Sequence, residues 1–282
     1  MLELRGKAVA DAHKAILNEK LAALKEKGIV LTLGILLVGD DKAAQMYAHF
    51  MEKTAKSAGF DVELAHLPET ASFEDVAAVV KRWNEADHVY GVLPLMPMPK
   101  QIDREALLDI LSPAKDIDGL TASNVGLVMC GKGGFWPCTP RACMAILDHY
   151  DIPIHGKDVV VVGRSQVIGK PIALMLLERQ ATVTICHSKT VDLGDKLRRA
   201  DIVIAAAGRA HMIDGSMLKP GAVVIDVGIN ELDGKTVGDV DYESAAAVAS
   251  AITPVPGGVG SVTTTMLLEN IYEAYHARNV DC

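Results

Sequence analysis

Residues 163–169, Gly-Arg-Ser-Gln-Val-Ile-Gly, are the part of this chain best suited to hold a charged ligand. They follow the β-branched run 159–162, which reads as a strand buried on both faces. They precede Lys170-Pro171, where a proline suits the first turn of a helix. A strand–turn–helix unit of this kind points backbone N–H groups and the positive end of a helix at a phosphate. The next strand, 182–186, ends in His187-Ser188-Lys189-Thr190 with no Asp or Glu at its tip. An acid there would hold the ribose 2′-OH of NAD. Arg164, Ser188 and Lys189 offer cations and a hydroxyl instead, which suits the 2′-phosphate of NADP. The segment therefore reads as an NADP site. Gly163 and Gly169 stand five residues apart, so G-x-G-x-x-G is absent, and an ordinary βαβ turn is the competing reading of this stretch alone. Two further apolar runs, 200–207 and 222–227, end at Gly208 and Gly228. Four such strands predict a parallel, doubly wound, Rossmann-like sheet, with ligands beyond the strand ends where Gly163, Gly208 and Gly228 lie.

The elements around this unit follow from composition and periodicity. A length of 282 residues suits two modest domains, and 50% apolar with 4% aromatic residues suits an α/β protein. A formal charge of −8 argues against a general nucleic-acid or anionic-membrane surface, though not against a local basic pocket. Cys130, Cys138, Cys143, Cys186 and Cys282 are odd in number and form no CxxC pair. No metal set or disulfide framework is expected, and reduced thiols point to the cytoplasm. Cys186, on a core strand, reads as a small buried hydrophobe. The N-terminus lacks a signal-like apolar core, and no run approaches the roughly 20 apolar residues that span a bilayer.

Before residue 140 the pattern alternates helices (6–27, 42–59, 72–86) with strands (30–38, 62–67, 89–93), a second open α/β unit. The expected division is an N-terminal domain of 1–139, completed by a C-terminal helix within 262–282, and a nucleotide domain of 140–261. Two loops are unusual. Residues 93–99 hold three prolines, so that backbone is expected to leave sheet and helix alike. Residues 253–260 join prolines to glycines that let another molecule approach the backbone. Either loop also reads as a tight turn between packed elements. Beside a nucleotide unit, the pair suggests a substrate cleft between the domains.

The segments LVGDDKAAQMY, KDIDG, PCTPR, GRSQVIGKP, CHSKT, IDVGIN and ITPVPGGVGSVT span nearly the whole chain. In this order they resemble the bifunctional methylenetetrahydrofolate dehydrogenase/cyclohydrolase family. The resemblance implies a folate cleft between the two domains, NADP as cofactor, and a homodimer. It carries a cleft Tyr onto Tyr47 and a cleft Asp onto Asp118, with Pro256, Gly257 and Gly258 bordering the folate. It carries the cofactor's contacts onto Gly163, Arg164, Ser165, Ile168 and Gly169. Beyond these it implies His187, Ser188, Gly208, Gly228 and Ile229. Two positions depart from the pattern: Met51 replaces a Lys four residues after the Tyr, and Leu95 replaces a Gln in the proline loop. Tyr47 and Met51 share a helix face, so no register slip explains the change. Lys53, about 200° around that helix, and His49 are poorly directed to replace the amine and read as solvent or packing residues.

The family's two reactions make different demands. Oxidising an N–CH2–N bridge removes a hydride and leaves a delocalised cation, with no obligatory general base. Opening the methenyl product needs water added and protons moved, work suited to a Lys tuned by its neighbours. Losing a positioned acid–base group costs about 10²–10⁴-fold. The expectation is NADP-dependent oxidation of 5,10-methylenetetrahydrofolate to the 5,10-methenyl compound in one-carbon metabolism, with hydrolysis to 10-formyltetrahydrofolate weak or absent. Replacing Lys and Gln together avoids stranding one buried polar group, a penalty of about 1–3 kcal/mol. The more apolar wall also suits a modified one-carbon carrier. Three alternatives remain: a full dehydrogenase/cyclohydrolase, a non-catalytic NADP- or folate-binding paralogue, and an NADP-dependent dehydrogenase of a carbonyl compound with Tyr47 as proton donor.

Overall fold

The computed structural model describes residues 1–279, so Cys282 and the end of the expected last helix lie outside the described residues. In chain order the first part runs β1 (Leu2–Glu3), α1 (Gly6–Glu26), β2 (Thr32–Val38), α2 (Lys42–Ala58), β3 (Asp61–Leu67), α3 (Phe73–Glu85), β4 (Val89–Pro94), α4 (Arg104–Ile110), α5 (Ala122–Met129) and α6 (Cys138–His149). The rest runs β5 (Asp158–Val162), α7 (Gly169–Glu178), β6 (Thr182–Cys186), α8 (Leu193–Leu197), β7 (Ile202–Ala205), β8 (Val223–Asp226), β9 (Asn230–Leu232), β10 (Lys235–Val237), α9 (Tyr242–Ala246), β11 (Ala251–Ile252) and α10 (Gly260–Asn279). The described residues divide into two compact units, one of 1–13 with 139–266, the other of 14–138 with 267–279.

The first unit is built on six parallel strands in the order β1-β11-β8-β7-β5-β6. Val160, Val162, Val203, Ala205, Val224 and Cys186 form part of its core, as expected of strands covered on both faces. The expected boundary kept 1–139 together. Instead β1 adds to this sheet beside β11, with Leu2 opposite Ala251, because a two-residue strand finds its ladder partner there. The added β11, too short to signal itself in the sequence, lies between β1 and β8.

The second unit holds three parallel strands, β3-β2-β4, with α2 and α3 as crossovers. Every residue of β2 is buried. At Gly34 an added Cβ would lie 2.9 Å from the Trp83 indole, so the glycine lets α3 seat its tryptophan directly on the strand. Asp41 caps α2 by accepting the Ala44 N–H at 2.8 Å, and Ser72 with Asp75 forms a capping box on α3. The strand β4 continues through Pro94, one residue past the expected strand and into the loop that was expected to leave the sheet. The bond at this rung comes from the Leu95 N–H to Leu36 O at 2.9 Å, so the proline's missing N–H removes nothing from the ladder. Among the described residues no helix is long and apolar enough to cross a membrane.

Candidate functional site

In the six-stranded unit, β6 and β7 flank β5, which places a topological switch point beyond β5. A pocket of about 490 Å³ opens there, lined by Gly163, Arg164, Ser165, His187, Ser188, Thr190, Arg209 and apolar side chains that include Leu193, Met212 and Met217. Gly163 has φ +137°, and a Cβ on it would sit 2.2 Å from Ala206 O, so only glycine lets the β5 and β7 turns pass this closely. Among the described residues no acidic side chain lines the pocket. Among the described residues neither Arg164 nor Arg209 is paired with a carboxylate. Two unpaired guanidinium groups, three hydroxyls and an apolar flank fit a nucleotide that carries phosphate.

The expected cofactor residues divide in two. Gly163, Arg164, Ser165, His187 and Ser188 come together on the pocket wall, whereas Ile168, Gly169, Gly208, Gly228, Ile229 and Lys189 are not among its lining residues. The N–H groups of Ile168 and Gly169 donate to Ser165 Oγ at 3.1 and 3.3 Å, so the donors that start α7 already have a partner. A Cβ on Gly169 would meet Gly163 O at 2.3 Å, which gives that glycine a packing reason. Gly208 lies in a turn whose three successive N–H groups, of Ala207, Gly208 and Arg209, donate to the Asp239 carboxylate at 2.6–2.9 Å. Asp226 in turn accepts from Gly228, Asp239 and Val240. Burial, with the nearby Asp239 charge adding to it, pushes Asp226 up to about 6 despite those three donors. The sequence reading missed Thr190, Arg209 and Asp239. Arg209 was within reach, since it directly follows a strand-end glycine; the carboxylate of Asp239 carried no such signal.

The second unit gathers Tyr47, Asp118 and Cys138. Of the two carboxylates in KDIDG, Asp116 is structural: it accepts the Leu120 and Thr121 N–H groups and the Asn124 amide at 2.8–3.0 Å. A bridge between Val92 and Asp116 draws this segment along β4, and Lys115 Nζ donates to Trp83 O and Ala86 O. Asp118 is left to accept the Cys138 N–H at 3.0 Å. Its carboxyl is held above the usual range by burial first and by Asp116, while Arg104 opposes the shift. Tyr47 keeps 39% exposure over the whole residue, yet its hydroxyl end is desolvated. Burial, then the charges of Asp118 and Cys138, push that phenol up to about 12. The phenol stays neutral, and burial favours the protonated form of its carboxyl neighbour. Cys138, 1% exposed, was missing from the expected site.

Met51 is wholly buried and Leu95 keeps 3% exposure, and as apolar side chains neither offers a proton or a lone pair of use. Lys53 and His49 are exposed. Pro256, Gly257 and Gly258 lie in the turn before α10 within the six-stranded unit. There Gly257 O accepts the Gly6 N–H at 2.9 Å, and a Cβ on Gly6 would strike Gly258 O at 2.1 Å. The glycines therefore have a packing duty against the start of α1, whatever else they touch. Among the described residues Cys130, Cys138, Cys143 and Cys186 form no disulfide.

Comparison with known proteins agrees over both units. The family described as "Tetrahydrofolate dehydrogenase/cyclohydrolase, NAD(P)-binding domain" matches residues 137–279, and its catalytic-domain counterpart matches residues 4–118. A bifunctional protein FolD of Exiguobacterium sibiricum is 46% identical over 269 residues, covering 95% of this chain and 97% of that protein. The crystal structure of the bifunctional FolD from Campylobacter jejuni superposes with a TM-score of 0.96 at 42% identity, covering 99% of each chain. The Trypanosoma brucei enzyme, solved with NADP cofactor and an inhibitor, gives 0.93 at 37% identity over 100% of this chain and 99% of that one.

Proposed function

The chain belongs to the tetrahydrofolate dehydrogenase/cyclohydrolase family, and on that premise we propose that it oxidises 5,10-methylenetetrahydrofolate with NADP and hydrolyses the methenyl product weakly or not at all. The observation that carries this reading is the buried apolar pair Met51 and Leu95 in a unit that keeps Tyr47 and Asp118. When bound, the nicotinamide supplies the hydride acceptor. The rest falls to the chain. Arg164, Ser188 and Thr190 hold phosphate, and Gly163 keeps the turn open to it. Asp118 fixes the pterin by hydrogen bonds from its buried carboxyl group. Tyr47 gives the ring a flat neutral wall, stacked on Phe50 with centroids 6.4 Å apart. No base is required for hydride loss, so a greasy wall does not impede that step. Ring opening differs, because it needs an added water deprotonated and a nitrogen protonated. Tyr47, pushed to about 12, is a poor base for that work.

A second reading has its own support: relatives 46% identical are named bifunctional. One experiment separates the two. Purified protein is mixed with NADP and methylenetetrahydrofolate, and the absorbance of the methenyl product is followed. Accumulation without enzyme-accelerated decay supports the split activity; rapid decay to the formyl compound supports the bifunctional one. Absence of any NADP reduction despite cofactor binding returns the non-catalytic reading.

The assembly is proposed as a homodimer. Strand β6 is an edge of its sheet, with Ile185 41% exposed and Leu177 on the preceding helix 58% exposed. An open apolar edge is suited to pair with a second copy. Cysteines that form no disulfide among the described residues accord with a cytoplasmic setting.

A further inference from the structure

The residues expected to recognise the cofactor's ribose end come from the turns after β5 and β6. The turn after β7 supplies another. Arg209 lines the same pocket as Arg164, Ser188 and Thr190, and β7 reaches it from the side of β5 opposite β6. We propose that Arg209 is a second specificity-determining cation for the 2′-phosphate of the nucleotide, so that discrimination of NADP from NAD rests on a pair of arginines, Arg164 and Arg209. The inference rests on the NADP reading above and adds a residue to it.

Three observations carry it. Among the described residues the pocket wall holds two full positive charges and no carboxylate. Two guanidinium groups facing one cavity repel each other unless an anion lies between them, and a phosphate dianion accepts from both. Neither arginine has that demand met by the protein itself, because among the described residues neither is paired with an acid. The third is the support beneath Arg209. The Asp239 carboxylate is fully buried and accepts the N–H groups of residues 207, 208 and 209 at 2.6, 2.9 and 2.8 Å. Its remaining reach is taken by the Asn230 amide at 3.0 Å. A turn pinned by three consecutive donors has little backbone freedom, so the Cα–Cβ bond of Arg209 leaves it in one direction. That lowers the entropy lost when the guanidinium engages a ligand. A loosely held arginine on a mobile loop would not have this advantage.

The competing role for a guanidinium in a pocket flanked by Leu193, Met212 and Met217 is stacking on the adenine. The two roles separate cleanly, because NAD and NADP share the adenine and differ only in the 2′-phosphate. Dissociation constants for NADP and NAD are measured by titration calorimetry on the full-length protein, on Arg209→Gln, and on Arg164→Gln as a reference. Arg209 is exposed and its N–H, which Asp239 holds, survives the change, so the variant keeps the fold; its melting curve checks this. The expected result is about 10–100-fold weaker NADP binding with NAD within about two-fold, and partial recovery in Arg209→Lys. The salt dependence of NADP binding should also become shallower. An equal loss for both nucleotides assigns Arg209 to the adenine and overturns the proposal. So does unchanged NADP binding in Arg209→Gln while Arg164→Gln loses it, a result that leaves the NADP reading intact. If the parent protein binds NAD as tightly as NADP, the NADP reading itself fails and the proposal falls with it.

Discussion

Placing an amine at position 51 and an amide at position 95 tests the functional assignment most directly. The perturbation is Met51→Lys with Leu95→Gln, made singly and together. Both positions are closed to solvent, at 0% and 3% exposure, so neither new polar group reaches bulk water unaided. The lysine stem keeps much of methionine's packing, and the cost lies in the amine. An unpartnered buried polar group costs about 1–3 kcal/mol, so each single change should destabilise by about that much. If the two groups meet, one hydrogen bond returns about 0.5–1.5 kcal/mol, and the double variant should exceed the sum of the singles by that margin in urea titration. Burial lowers the pKa of the new amine from about 10.4, which leaves more of it as free base near neutrality. Hydrolysis of added methenyltetrahydrofolate, followed without NADP, should then rise about 10²–10⁴-fold in the double variant. It should increase with pH up to the lowered pKa. The dehydrogenase rate should change far less. The reasoning is refuted if the unaltered protein already hydrolyses the methenyl compound as fast as a folded double variant.

Other outcomes follow from single positions. Gly163→Ala forces a Cβ to within 2.2 Å of Ala206 O at φ +137°. The backbone strain alone should cost about 1–3 kcal/mol, and NADP affinity should drop with it; an unaffected titration would remove the switch-point crevice as the binding site. Asp226, 3% exposed, has its folded-state pKa raised from 3.8 to about 6. Between those limits the native state keeps a proton that the unfolded chain has released, so this group's contribution falls as pH rises through the window. The burial penalty is complete above about 6 and amounts to about 3 kcal/mol. Asp226→Asn should flatten stability between pH 4 and 6 relative to the parent (a range of about two units around that shift), and parallel pH profiles would contradict the assignment. Ile185→Lys, on the exposed edge strand, should shift a dimer toward monomer in sedimentation; an unchanged mass would move the interface elsewhere.

Much of this molecule was written in local pattern. The β-branched run before Gly163, the turn glycines and the absence of an acid after Cys186 specify a parallel sheet with a basic pocket, because strand burial and turn geometry depend on residues close in sequence. Met51 and Leu95 were equally visible, since a missing amine needs only its helix register to be noticed. Which of Asp116 and Asp118 is free to meet a ligand depended on hydrogen bonds to Leu120, Thr121 and Asn124, which close only when the segment lies along β4. The joining of β1 to the distant β11 was likewise a matter of ladder partners about 250 residues away, beyond any periodicity. Arg209 owes its place to Asp239, 30 residues further on. Sequence determines which elements form and what chemistry they carry. Only the packed fold decides which polar groups are consumed by the backbone and which remain to face a ligand, because a buried donor or acceptor takes the nearest partner in space rather than in the chain.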